Sequence, residues 1–283
     1  MNDAGVPETT LVEVLSLDRV RAEVPRALRR GEFLLHYQPQ YDVSKRQLVA
    51  AEGLLRWNRS GSILPPSDFV HLLEDSGQIN QVGAWAIQSA CNELKAWAAQ
   101  GSRILQVSVN VSARQLHGSQ LLSAVSRALA ETRINPGCLE LEITESAVMA
   151  DLDVANRVLC ALKDLGVRIA LDDFGTGHSS LSHLYRLPID TIKIDRAFVR
   201  DLDHERCRTV TRTIIALAKK LNLKVIAEGV ESFAQRRFLQ REGCDLLQGY
   251  LFGHAVPAER LARSTGGRRA RDVRLVAAGL PAK

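Results

Sequence analysis

Eight short apolar runs rich in β-branched residues recur along the chain, at 33–38, 48–56, 105–111, 139–144, 167–172, 191–195, 223–228 and 245–248. From the second run onward they alternate with segments of helical period at 82–100, 113–132, 151–165, 179–184, 206–221 and 232–242. Repeated strand–helix units demand a parallel sheet, and about eight of them in ~250 residues predict an α/β fold closed as a TIM-type (β/α)8 barrel. No helical pattern separates the first two runs, so they predict a hairpin with the first strand antiparallel. An open doubly wound sheet is the alternative. The expected layout is one barrel domain over 20–263, opening with a helix at 20–30. A flexible segment (1–19) precedes it and an Arg-rich flexible tail (264–283) follows.

The net charge is +5. Residues 259–283 hold seven Lys/Arg against Glu259 and Asp272, which accounts for the whole excess, so the body is formally neutral and does not point to nucleic acid. A solvated tail is expected there, with an arm for phosphate or lipid as the other reading. The five cysteines are scattered, with no C-x-x-C, and predict neither a disulfide framework nor a zinc site. No apolar run approaches the ~18 residues of a membrane span, and Asp3, Glu8 and Glu13 break the layout of a signal peptide. The expected location is cytoplasmic.

In such a barrel, chemistry sits where the strands end. Those positions carry Glu52 and Arg56, Asn110, Glu142 and Glu145, Asp172 and Asp173, Lys193 and Asp195, and Glu228. A lone strand-end acid is usually a helix cap or a solvated charge. Several converging on one mouth would repel by several kcal/mol per pair at an effective dielectric of ~20, so protons or cations must intervene. Asp, Glu and an Asn carbonyl suit Mg²⁺ or Mn²⁺, and adjacent Asp172 and Asp173 could serve two ions, an arrangement suited to in-line phosphoryl chemistry. A glycosidase needs only two carboxylates. Enolase-type proton abstraction, with a strand-end Lys and acidic metal ligands, stays open. The Gly-rich segment at 173–180 is no P-loop and reads as a loop able to gate the site.

Eight motifs then appear in order: Q-P at 38–39, E-G-L-L-R at 52–56, S-V-N-V-S at 108–112, L-E-I-T-E-S at 141–146, D-D-F-G-T-G at 172–177, I-K-I-D at 192–195, A-E-G-V-E at 227–231 and Q-G-Y at 248–250. Together they resemble the EAL family of cyclic-di-GMP phosphodiesterases over about residues 20–261. The resemblance implies that Glu52, Asn110, Glu142, Asp172 and Asp173 are metal ligands for two Mg²⁺ or Mn²⁺ ions, with Glu228 on the second ion or acting as base. It implies that Lys193 orients the attacking water. Gln38, Arg56, Asp195 and Gln248 would contact substrate, and Glu145 would brace the loop after Asp173. The implied reaction opens one phosphodiester bond of cyclic-di-GMP to give linear pGpG in bacterial signalling. The family often pairs through its barrels, so a homodimer is expected. No sensory or diguanylate cyclase domain is expected before the barrel, which would leave regulation to a separate regulatory or diguanylate cyclase protein partner or to self-association.

Three departures from the family pattern stand out: Gly53 in place of Ala, His178 in place of an aromatic, and Gly253, His254 and Ala255 where Ser-Lys/Arg-Pro is usual. They leave open a catalytically weak sensor that holds cyclic-di-GMP and acts through a protein partner.

Overall fold

The computed structural model describes residues 17–175 and 184–265. Strands β1 (Phe33–Asp42) and β2 (Gln47–Arg59) form the expected antiparallel hairpin, with Gln38 opposite Glu52. A short β3 (Ser62–Leu64) extends β2. Parallel to β2 run β4 (Gln106–Val111), β5 (Leu139–Thr144), β6 (Arg168–Phe174), β7 (Thr191–Ile194), β8 (Lys224–Ala227) and β9 (Leu246–Gln248). β9 then pairs antiparallel with β1, which closes the ring, so among the described residues eight strands make a barrel with one reversed strand. β10 (Val256–Pro257) pairs antiparallel with His36 and Tyr37 of β1.

Alternation explains the interior. In β5, Leu139, Leu141 and Ile143 join the apolar core outside the barrel, while Glu140 and Glu142 lie on the opposite, interior face. In β7, Ile192 and Ile194 face the core, and Thr191 and Lys193 turn inward. The barrel floor is therefore polar. Glu140, fully buried, accepts from Thr191 Oγ1 at 2.7 Å and from Gln106 Nε2 at 2.7 Å. Glu142 and Lys193 form the layer above it.

Helices pack outside as the periodicity predicts. In α3 (Ile79–Ala99) the residues Ile79, Val82, Ala86, Ala90, Leu94 and Trp97 recur at helical spacing and are buried. α1 (Leu17–Arg29) and α2 (Val70–Ser76) cover a second cluster, where Phe33 stacks on Trp57 at 5.0 Å. The single helix expected at 113–132 is two, α4 (Ala113–Leu116) and α5 (Leu121–Thr132), separated by a bend that includes Gly118, a poor helix former. α6 (Glu145–Ala150) and α7 (Leu152–Asp164) follow β5. The helix expected at 179–184 lies outside the described residues except for Leu184, as do residues 1–16 and 266–283. After β7 come α8 (Arg196–Arg200) and α9 (Glu205–Lys220), and after β8 comes α10 (Phe233–Arg241), started by a Ser232–Gln235 capping box. α11 (Ala258–Thr265) begins before the boundary expected for the tail. None of the described helices is long and apolar enough to cross a membrane, and all five cysteines are unpaired.

Candidate active site

The centre of the barrel mouth is the ammonium of Lys193, which is fully buried. Its Nζ lies 2.6 Å from Glu142, 2.6 Å from Glu228, 3.2 Å from Asp172 and 3.7 Å from Glu52. Acids on three strands, and Glu228 just past β8, thus converge on the single ammonium of β7. Glu52 is tied further by Asn110 Nδ2 at 2.7 Å and Gln248 Nε2 at 2.6 Å. Gln248 also donates to Gln38 Oε1 at 3.2 Å and accepts from Gln40 Nε2 at 2.9 Å.

Asp172 and Asp173 pose a geometric problem, because neighbours on a regular strand point to opposite faces. The register between β6 and β7 shifts between Leu171 and Phe174, and Asp173 takes the left-handed conformation with φ 54°. The kink lets both carboxylates line one cavity of about 430 Å³. Asp tolerates this φ better than most residues. The kink is followed at once by an anchor, since Gly175 N donates to Glu145 Oε2 at 3.0 Å and Glu145 is buried. At the far side, a Cβ on Gly249 would lie 2.2 Å from Val230 N, so the turn that carries Gln248 can approach the loop after β8 only with glycine there.

The titration directions record the crowding. Burial pushes Glu142 well above the usual carboxylate range, and Glu52, Asp172 and Glu228 add repulsion that Lys193 only partly offsets. Burial raises Glu228 to about 7, against the pull of Lys193, with Asp172 and Glu52 adding to the rise. Burial with the nearby Asp172 and Asp195 raises Asp173 to about 6. For Glu52 burial also favours the neutral acid, but Lys193 and the Gln248 and Asn110 hydrogen bonds outweigh it and hold the group below its ordinary value. Burial opposes the charge on Lys193, yet Glu142, Glu228, Glu52 and Asp172 raise it well above the ordinary lysine value. One ammonium therefore does not balance five carboxylates.

Among the described residues no group of three or more His, Cys, Asp or Glu side chains encloses a metal-sized point by itself, since the acids turn toward Lys193 instead. Two observations nonetheless fit a divalent cation. Glu142 Oε1 is buried without a hydrogen-bond partner, and the donor set is all hard oxygen once the Asn110 carbonyl is included. Glu52, Asn110, Glu142, Asp172, Asp173 and Glu228 are the residues that could hold such ions.

The remaining expected residues take different places. Asp195 lines the cavity but lies just past β7, where it caps α8 by accepting from Ala197 N at 2.8 Å. Arg56 is half-buried beyond Leu54 on the face of Glu52, and its Nη1 donates to the Leu55 carbonyl at 2.8 Å. Sequence reasoning missed Arg196, which borders this cavity and an adjoining apolar one of about 610 Å³. Its only sequence signal was its position directly after a strand end.

Of the departures, Gly53 faces away from the site, and a Cβ there would meet Ser108 O at 3.4 Å and Tyr37 Cε1 at 3.5 Å, ordinary contacts. His254 packs against Tyr250 with ring centroids 4.1 Å apart and planes tilted by 31°, beside the cavity that Tyr250 lines. His178 lies outside the described residues.

Fold and mouth together define a carboxylate-lined α/β barrel whose first strand is reversed. The chain belongs to the EAL domain family, which it matches over residues 21–255. It is 42% identical over 236 residues to the signaling protein YkoW of Bacillus subtilis (strain 168), covering 83% of this chain and 29% of that protein. It is 41% identical over 244 residues to the bifunctional diguanylate cyclase/cyclic di-GMP phosphodiesterase MucR of Pseudomonas aeruginosa, covering 86% of this chain and 36% of that one. The chain thus spans about a third of the length of these relatives. The solved structure of the PaMucR phosphodiesterase in complex with c-di-GMP superposes with a TM-score of 0.81 at 40% identity, covering 86% of this chain and 99% of that one.

Proposed function

We propose that this chain hydrolyses cyclic-di-GMP to linear pGpG with two divalent ions, Mg²⁺ or Mn²⁺. The observation that carries the reading is the gathering of Glu52, Glu142, Asp172 and Glu228 on buried Lys193, with Asn110 and Asp173 at the same mouth. Kinship with MucR, named as a cyclic di-GMP phosphodiesterase, supports the substrate. Two hard ions between these oxygens supply acidification of a water and neutralisation of charge on the leaving oxygen.

In this reading Glu52, Asn110, Glu142, Asp172 and Asp173 would hold the ions. Lys193 keeps its proton and orients the water while offsetting phosphoryl charge. Glu228, 2.6 Å from Lys193 at the mouth, accepts the water's proton as the new P–O bond forms. The bond from phosphorus to the ribose 3′-oxygen breaks, and that oxygen is protonated from solvent. Gln38, Arg56, Asp195 and Gln248 hold phosphate and guanine, and Glu145 keeps the Asp173 turn in place through Gly175.

The test is incubation with cyclic-di-GMP and Mg²⁺ followed by chromatography of the products. Linear pGpG is expected, EDTA should silence its formation, and Lys193→Ala should cut turnover while substrate binding is kept. Binding of intact cyclic-di-GMP with no pGpG at any Mg²⁺ or Mn²⁺ concentration would replace this reading with that of a sensor.

A further inference from the structure

Asn110 is exposed at the mouth, and its side chain hydrogen-bonds Glu52. Its aim therefore depends on how firmly the end of β4 is held. The chain leaves β4 through Ser112, the cap of α4. Ser112 Oγ accepts from Gln115 N at 3.3 Å, and Ser112 N donates to Gln115 Oε1 at 3.1 Å.

The amide of Gln115 is pressed against another helix. A Cβ on Gly83 of α3 would stand 2.0 Å from Gln115 Nε2 and 2.7 Å from its Cδ. An alanine there would drive the Gln115 amide aside. Gln115 is 4% exposed, and it lines the cavity of about 610 Å³ together with Gly83 and Ser112, so an added methyl would push its amide into that cavity and away from Ser112 N. The same four-residue helix and its C-terminal cap, His117, are fastened on two further sides. The Arg114 guanidinium donates to the Glu74 carbonyl of α2, and His117 Nε2 donates to the Ala147 carbonyl of α6 at 3.0 Å. α6 begins at Glu145, which anchors the Asp173 turn.

We propose that Gly83 and Gln115 form a positioning latch that fixes the exit of β4, and with it the Asn110 amide, for metal binding. Neither residue touches the reacting atoms. The latch rests on the reading of Asn110 as a metal ligand, and it extends the site's support to α3, outside the barrel. Partners that orient metal ligands commonly govern affinity by about 10- to 100-fold.

The experiment is calorimetric titration of Mn²⁺ into the full chain and four variants, below their unfolding temperatures. Gly83→Ala and Gln115→Ala should each weaken Mn²⁺ binding by about tenfold or more. Gln115→Glu, which keeps the acceptor for Ser112 N, should bind as the unmodified chain does. The double variant Gly83→Ala/Gln115→Ala should be no weaker than Gln115→Ala alone, because the added methyl then has nothing to displace. A merely structural glycine would lower the melting temperature and leave Mn²⁺ affinity unchanged. Unchanged affinity in Gln115→Ala, or additive losses in the double variant, overturns the latch alone. An unmodified chain that binds no Mn²⁺ overturns both the latch and the metal reading beneath it.

Discussion

Replacing Lys193 by Met removes the cation and keeps the side-chain volume. In the folded chain the Nζ is buried with four carboxylates, two of them at 2.6 Å. At an effective dielectric of ~20 each contact at about 3 Å is worth roughly 5 kcal/mol gross. Desolvation of the ammonium and repulsion among the acids cancel most of that sum. Breaking a buried pair by removing one partner typically costs about 3–5 kcal/mol net. For a chain of this size that corresponds to a melting temperature lower by roughly 6–20 °C. The loss should be largest at pH 8 in EDTA, where the acids are most fully charged. It should shrink at pH 5, where Glu142 and Glu228 can take protons, and shrink again when Mg²⁺ is added at pH 8. Thermal unfolding followed by circular dichroism in these three buffers measures it. A variant as stable as the parent at pH 8 in EDTA would show that the ammonium is not what allows the carboxylates to share the mouth.

In EDTA the parent chain should itself lose stability as pH rises. Glu228 titrates at about 7 in the fold against 4.5 when free, so the native state holds its proton more tightly and the penalty grows between those values. The penalty is complete above the upper one, about 3 kcal/mol for this group, and urea melts at pH 5 and pH 8 should show it; stability that rises over this window would contradict the crowding. Gly53→Ala should stabilise β2 by about 0.5–1 kcal/mol with turnover unchanged, because the methyl fits against Ser108 and Tyr37. A destabilising effect in the same melts would mean that the strand needs the gap. Glu145→Ala should weaken Mn²⁺ binding by about 10- to 100-fold by releasing Gly175 N and the Asp173 turn. Unaltered affinity by calorimetry would remove Glu145 from the support of the site.

The barrel was legible because each strand carries a short apolar run and most helices a long periodic one. Among the segments that escaped, β3 has three residues, α2 seven, α6 six and α8 five, each too short to show a period. α11 hid in an Arg-rich stretch whose charge suggested a tail, although Leu261 is buried. The site divides along the same line between local and long-range information. Strand-end positions pointed to the acids and to Lys193. That Glu52, Glu142, Asp172 and Glu228 meet on one ammonium depends on register between distant strands, which no local pattern encodes. The turn of Asp173 depends on a bulge and a left-handed residue where alternation predicts the opposite face. The Gly83 contact with Gln115 joins residues on separate helices and leaves no trace in either segment alone.

Crystals grown with Mn²⁺ and examined by anomalous scattering would test the metal site most directly. Two peaks are expected, roughly 3.5–4 Å apart, one within bonding distance of Glu52, Asn110, Glu142 and Asp172 and the other shared by Asp172 and Asp173. A mouth with no anomalous peak, and with Glu142 and Glu228 still closed on Lys193, would contradict two-metal hydrolysis by this chain.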